Sequence, residues 1–231
     1  MTLRVAIVML VLMVSAVGVA HALEPIAGTT SGVFQNPTGP VGMVTTGVGT
    51  PTFTWGTGFG TGPSSLNFAG ASFNTSTETA FDVGTLNYFN GTIVGGTEAD
   101  TVDLNVGVDF TTPSGHNEHF VYTMQLVNTD NLGVDPWQDA DYVYLPTLFP
   151  THTFVDNGVV YTLGLTGFYD PTQQGQVPQL SEFHVVEGGS ASAVLRGKVT
   201  SNIPTVPEPS SFALAISGLG LLGTMWRGRR K

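Results

Sequence analysis

Between Thr101 and Thr112 the chain alternates without a break: Val102, Leu104, Val106, Val108 and Phe110 against Asp103, Asn105, Gly107 and Asp109. Successive side chains of a strand point to opposite faces, so this pattern predicts a strand with one buried and one solvated side. Phe120, Tyr122, Met124 and Leu126 repeat it, as do Val159, Tyr161, Leu163 and Leu165. Between Phe154 and Val159 lies Asp156-Asn157-Gly158, where Asn-Gly tolerates the positive φ angles of a type I′ turn, which predicts a hairpin. Glu187-Gly188-Gly189-Ser190 predicts a second one, between Phe183–Val186 and Ala191–Thr200. Phe53–Trp55, Ser65–Phe73, Thr79–Tyr88 and Tyr142–Leu148 read as further short strands, separated by Gly, Pro, Asn and Ser clusters. No segment between 23 and 206 carries a capped apolar period of ~3.6 residues over the length a helix needs. About ten short antiparallel strands with polar turns predict an all-β fold, an antiparallel β-sandwich of jelly-roll-like type, with a small β-barrel as the alternative. The sandwich is expected over 32–200, with flexible segments at 23–31 and 201–209.

The two ends are patterned differently. Arg4 precedes an uncharged apolar run from Val5 to Val19, and Ala20-His21-Ala22 places small side chains at the two positions a signal peptidase must accommodate. Residues 1–22 are therefore expected to be a signal peptide cleaved after Ala22, with an uncleaved anchor as the alternative. At the other end, Val206-Pro207-Glu208-Pro209-Ser210-Ser211 leads into an apolar stretch from Phe212 to Trp226, followed by Arg227, Arg229, Arg230 and Lys231. A helix from Ser210 to Trp226 would be about 25 Å long at ~1.5 Å per residue, a little under a ~30 Å hydrocarbon core. The cations beyond it would hold that end in the cytoplasm. Residues 210–231 are thus expected to be a transmembrane helix with a basic anchor, and everything between the two ends to lie across the membrane.

Pro207-Glu208-Pro209, an apolar helix and an Arg-rich terminus, in that order, resemble the PEP-CTERM sorting signal of exopolysaccharide-producing Gram-negative bacteria. The resemblance implies processing by a membrane-embedded exosortase near the Pro-Glu-Pro motif, from an inner-membrane-tethered precursor to a cell-surface or extracellular product. Two prolines keep Glu208 extended and out of the helix, which suits a protease substrate. Across 32–200, Gly49-Thr-Pro-Thr-Phe-Thr-Trp-Gly56, Ser64-Ser-Leu-Asn-Phe-Ala-Gly70, Phe81-Asp-Val-Gly-Thr-Leu86, Asp139 to Val143, Val159 to Phe168 and Phe183-His-Val-Val-Glu-Gly188 resemble the choice-of-anchor K family, close to the THxN group. Where that group has Gly-Thr-Leu-Thr-His-x-Asn, this chain has Gly84-Thr-Leu-Asn-Tyr-Phe-Asn90. The resemblance implies an exported domain and no particular activity.

Charge narrows the chemistry. The 231 residues include no cysteine, which removes disulfides, thiolate metal sites and a Cys nucleophile. Of 7 Lys+Arg only Arg196 and Lys198 lie between 23 and 206, whereas every one of the 17 Asp+Glu except Glu208 does. Such a surface repels nucleic acid and favours cations. Asp139 and Asp141, two apart, would face one side of a strand and are the calcium candidates; turn capping and strand termination by Asp and Asn explain the cluster without a metal. His116 and His119, three apart on a strand, would face opposite sides and make a poor metal pair. No Gly-x-Ser-x-Gly, Walker or His-Glu-x-x-His motif is present, so the chain is expected not to be an enzyme and to use no cofactor. Trp55, Trp137 and Tyr142 are candidates for stacking on sugar rings. The expectation is a structural or interaction protein of the envelope, with exopolysaccharide as partner; a calcium- or carbohydrate-binding module is the alternative, and a glycan-active enzyme the third.

Overall fold

The computed structural model describes residues 23–172 and 179–202, and among these every regular element is a strand. In chain order they are β1 (Pro25–Thr38), β2 (Thr45–Thr46), β3 (Thr52–Trp55), β4 (Ser64–Gly70), β5 (Ser72–Ser76), β6 (Ala80–Phe89), β7 (Thr101–Thr112), β8 (Ser114–Val127), β9 (Asp141–Tyr144), β10 (Thr151–Asp156), β11 (Val159–Tyr169), β12 (Glu182–Val185) and β13 (Ser190–Asn202). They form two antiparallel sheets, one in the order β12-β9-β8-β7-β1-β5 and the other β10-β11-β13-β6-β4-β3-β2. Each sheet keeps two edge strands, so this is a layered sandwich and not the closed barrel.

The alternating segments behave as their pattern predicts. Val102, Leu104 and Val106 are buried on β7 and meet Met124, Tyr122 and Phe120 of β8 in register, and Val108, buried as well, lies opposite Glu118. Asn157 and Gly158 take φ angles of 48° and 83° and close the β10–β11 hairpin, with Asp156 opposite Val159. Between the sheets runs a ladder of rings: Phe34–Phe53 at 6.0 Å, Phe53–Trp55 at 5.7 Å, Trp55–Tyr88 at 6.0 Å and Tyr88–Phe183 at 6.0 Å. It starts on β1 and ends on β12 of the first sheet, passing through β3 and β6 of the second, so it pins the layers together. Contacts of this kind add about 0.5–1.5 kcal/mol each beyond their burial.

Four expectations are corrected. Residues 25–31 are not a flexible leader: they form the first half of β1, paired to β5 on one side and β7 on the other, with Ile26 at 0% exposure. Beyond Ile26, the inward positions 28 and 32 carry glycine in place of an apolar side chain, because neighbouring rings already fill the space. A Cβ on Gly28 would lie 2.7 Å from the Phe73 ring, and one on Gly32 would lie 2.3 Å from that of Phe68. At the far end, Ser201 and Asn202 belong to β13 rather than to a linker.

Ser65–Phe73 is not one strand but two. The chain leaves the second sheet at Gly70, whose Cβ would lie 2.1 Å from the Thr30 carbonyl oxygen, and re-enters the first sheet as β5. Ala71 N–H donates to Thr30 Oγ1 at 2.8 Å across the break. The Glu187–Ser190 segment does turn, with Gly188 at φ 73° and Gly189 N–H donating to the Val186 carbonyl at 2.9 Å. It joins no hairpin, however: β12 lies in the first sheet and β13 in the second, so the turn is a crossover between layers.

The chain's entry to and exit from the sandwich meet at buried Thr77. Its N–H donates to the Glu24 carbonyl at 2.8 Å, its Oγ1 accepts from Glu24 N–H at 3.1 Å, and Ser201 Oγ donates to it at 3.5 Å. The next residue, Glu78, donates its N–H to Val199 O at 2.8 Å.

Candidate functional site

The outer face of the β9–β12 pair carries an aromatic strip. Period two places Tyr142 and Tyr144 on the solvent side of β9, because Val143 and Asp141 point inward. On β12 the same alternation buries Phe183 and Val185 and turns His184 outward. Register sets His184 directly opposite Tyr142. Their rings stack at 4.1 Å and 7°, Tyr142 and Tyr144 stack at 5.9 Å and 8°, and Trp137 meets His184 edge-on at 5.6 Å. Trp137 is 59% exposed and Tyr144 39%. Rings held in one row, with Trp137 and Tyr144 exposed at its two ends, are a preformed stacking surface for an apolar ring face, that of a sugar included.

The acidic segment builds the loop that presents Trp137. Asp135 Oδ1 accepts Trp137 N–H at 3.0 Å, Asp139 Oδ1 accepts Gly133 N–H at 2.6 Å, and Asp141 Oδ1 accepts Thr129 N–H at 2.8 Å and its hydroxyl at 3.0 Å. Glu187 ties the loop to the sandwich, accepting from Asn131 Nδ2 at 3.0 Å and from Thr92 Oγ1 at 2.9 Å. Asp139 precedes β9 and is not on it, so the two calcium candidates do not share a strand face. Each is spent on a different backbone amide. Among the described residues no three His, Asp or Glu side chains converge as a metal set requires.

Asp141 is the one buried carboxylate of this region, at 3% exposure. Burial pushes its pKa from the ordinary 3.8 up to about 6, the two Thr129 hydrogen bonds pull it back, and the Glu187 charge adds a smaller upward push. Burial likewise raises the Tyr88 hydroxyl, helped by the charges of Asp141 and Glu187.

The remaining sequence candidates separate cleanly. Trp55 is a core residue at 3% exposure and is withdrawn as a sugar platform, whereas Trp137 and Tyr142 are brought together. Tyr144 and His184 complete the strip. Tyr144 carried a signal, standing two residues from Tyr142, but His184 joins only through strand pairing. His116 and His119 occupy opposite faces of β8, as the spacing requires. His116 turns inward and stacks on Phe154 at 4.4 Å, with Nε2 3.8 Å from Asp156 Oδ1. His152 stacks on Phe120 at 4.4 Å and its Nδ1 lies 2.9 Å from Glu118 Oε2. These two pairs fasten β8 to β10 across the layers. Ala20 and Ala22, Pro207, Glu208 and Pro209, the helix over 210–231, and Arg227, Arg229, Arg230 and Lys231 lie outside the described residues.

No curated protein matches the chain. Residues 205–231 match the family model of the PEP-CTERM protein-sorting motif, which covers Pro207, Glu208, Pro209 and the basic terminus. The motif marks the chain as an exported protein with a membrane-anchored precursor, sorted by an exosortase.

Proposed function

We propose that the chain is a non-catalytic interaction protein of the cell envelope or its polysaccharide matrix, and that its aromatic strip is the surface that engages polysaccharide. The observation that carries this reading is the alignment of Trp137, His184, Tyr142 and Tyr144 on one exposed face. Export and sorting would deliver that face to the place where such polymers are, at the surface or outside the cell. A place in the choice-of-anchor K group belongs to the same reading and rests on the segments quoted above. Against catalysis, Asp141, whose pKa burial raises, spends its hydrogen bonds on holding a loop rather than facing a cleft. Calcium has no role in the reading, since Asp139 and Asp141 are both engaged by the loop.

Native gels cast with neutral polysaccharide test it. Migration of the wild-type chain is expected to be retarded, and Trp137→Ala with Tyr144→Ala to weaken retention about tenfold, the equivalent of about 1.4 kcal/mol. Equal retention of the variant and the wild type would refute the assignment.

A further inference from the structure

The second sheet carries a concavity on the side away from the strip. Six outward side chains from three neighbouring strands form it in two registered rows: Ser65, Phe89 and Ser190 in one, and Asn67, Asn87 and Ser192 in the other. The groove has a volume of about 360 Å³, at the small end of the ~300–1,000 Å³ typical of ligand pockets. None of its side chains is charged, in a domain otherwise crowded with carboxylates. Asn67 spends its amide nitrogen on Thr52 Oγ1 and the Pro51 carbonyl. The side chains of Ser65, Asn87, Ser190 and Ser192 make no hydrogen bond within the protein among the described residues, and Phe89 enters none of the ring contacts of the core.

A half-exposed ring bordered by unspent hydroxyls and amides, with no ion to balance, matches one ligand chemistry. An uncharged polyol presents C–H faces to the ring and hydroxyls to the rim; a cation, a phosphate or an acidic peptide would find no counter-charge. Tyr88 and Phe183, in ring contact at 6.0 Å, place the groove and the strip back to back at one end of the sandwich, separated by the ~10 Å thickness of two packed sheets.

We infer that this groove is a second site for a neutral glycan chain, so that one domain bridges two chains. The inference rests on the polysaccharide reading of the strip and adds a separate surface to it. Two sites in one rigid body convert binding into cross-linking, because a chain held on each face is tied to the other.

The test uses the full chain in a non-glycosidic detergent, with mixed-linkage β-glucan, galactomannan and dextran each cast into native gels and each coated on beads. The wild type is expected to be retarded by at least one of them and to aggregate the matching beads. Asn87→Ala with Phe89→Ala is expected to keep the strip's retention yet lose bead aggregation. Ser192→Tyr, which fills the groove and leaves Phe89 in place, is expected to do the same and guards against a folding defect in the double variant. Trp137→Ala with Tyr144→Ala should retain groove binding and also fail to bridge. Bridging by both groove variants at the wild-type level overturns this inference and leaves the strip standing. Complete loss of retention in the strip variant overturns it as well, since nothing would then bind the groove. Undiminished retention in the strip variant, with loss in the groove variants, supports the groove and removes the strip. No retention of the wild type on any of the three glycans overturns both.

Discussion

Asp141→Asn isolates the cost of one buried charge. Between pH 3.8 and about 6 the folded chain holds a proton on Asp141 that the unfolded chain has released. Stability must therefore fall as pH rises through that window and level off above it, the opposite of a salt-bridged carboxylate. At about 1.36 kcal/mol per pH unit, the gap amounts to about 3 kcal/mol at pH 8. Asparagine carries no charge, and its carbonyl can still accept Thr129 N–H. The Thr129 hydrogen bonds are already counted in the raised pKa, so removing the charge leaves a net gain of about 3 kcal/mol at pH 8. Below pH 4, where both side chains are neutral, the gain should vanish. Urea unfolding followed by the fluorescence of buried Trp55, repeated from pH 4 to pH 8, gives the difference between variant and wild type at each pH, and the other carboxylates cancel in that difference. A difference that stays constant with pH, or a variant less stable than wild type at pH 8, would refute the reasoning.

Two further outcomes are expected. Ile26→Ala should lower stability by about 3 kcal/mol in the same urea assay, because Ile26 is fully buried on a strand flanked on both sides; a change under about 0.5 kcal/mol would restore the flexible leader. Pro207→Ala with Glu208→Ala should leave the chain in the membrane fraction on cell fractionation, and release at the wild-type level would show that the motif is not read.

What the sequence revealed depended on which partner each side chain meets. β7 and β8 were legible because their alternation is local and complete. The first half of β1 was not: Gly28 and Gly32 sit where apolar residues would normally announce a strand, and the rings that replace them come from Phe73 and Phe68, far along the chain. The fate of the Glu187–Ser190 turn was hidden for a related reason. Two strands joined by a tight glycine turn look alike whether they pair in one sheet or face each other from two. At the candidate site, Trp137 and Tyr142 were visible as aromatic residues beside an acidic segment, but nothing local distinguished exposed Trp137 from buried Trp55. His184 became a member of the strip only when β12 paired with β9. The carboxylates cluster because Asp135, Asp139 and Asp141 have a loop to hold, a role that leaves the same pattern in the sequence as a cation site would.

The Thr77 clasp gives the sandwich two distinct ends. Glu24 and Ser201 leave the body side by side at the Ala80 end of β6, whereas the aromatic strip and the polar groove flank its Phe89 end. Ten strand residues lie between, about 30 Å of stiff protein. The two ends of the described domain therefore lie at the opposite end of the sandwich from both surfaces proposed to bind glycan.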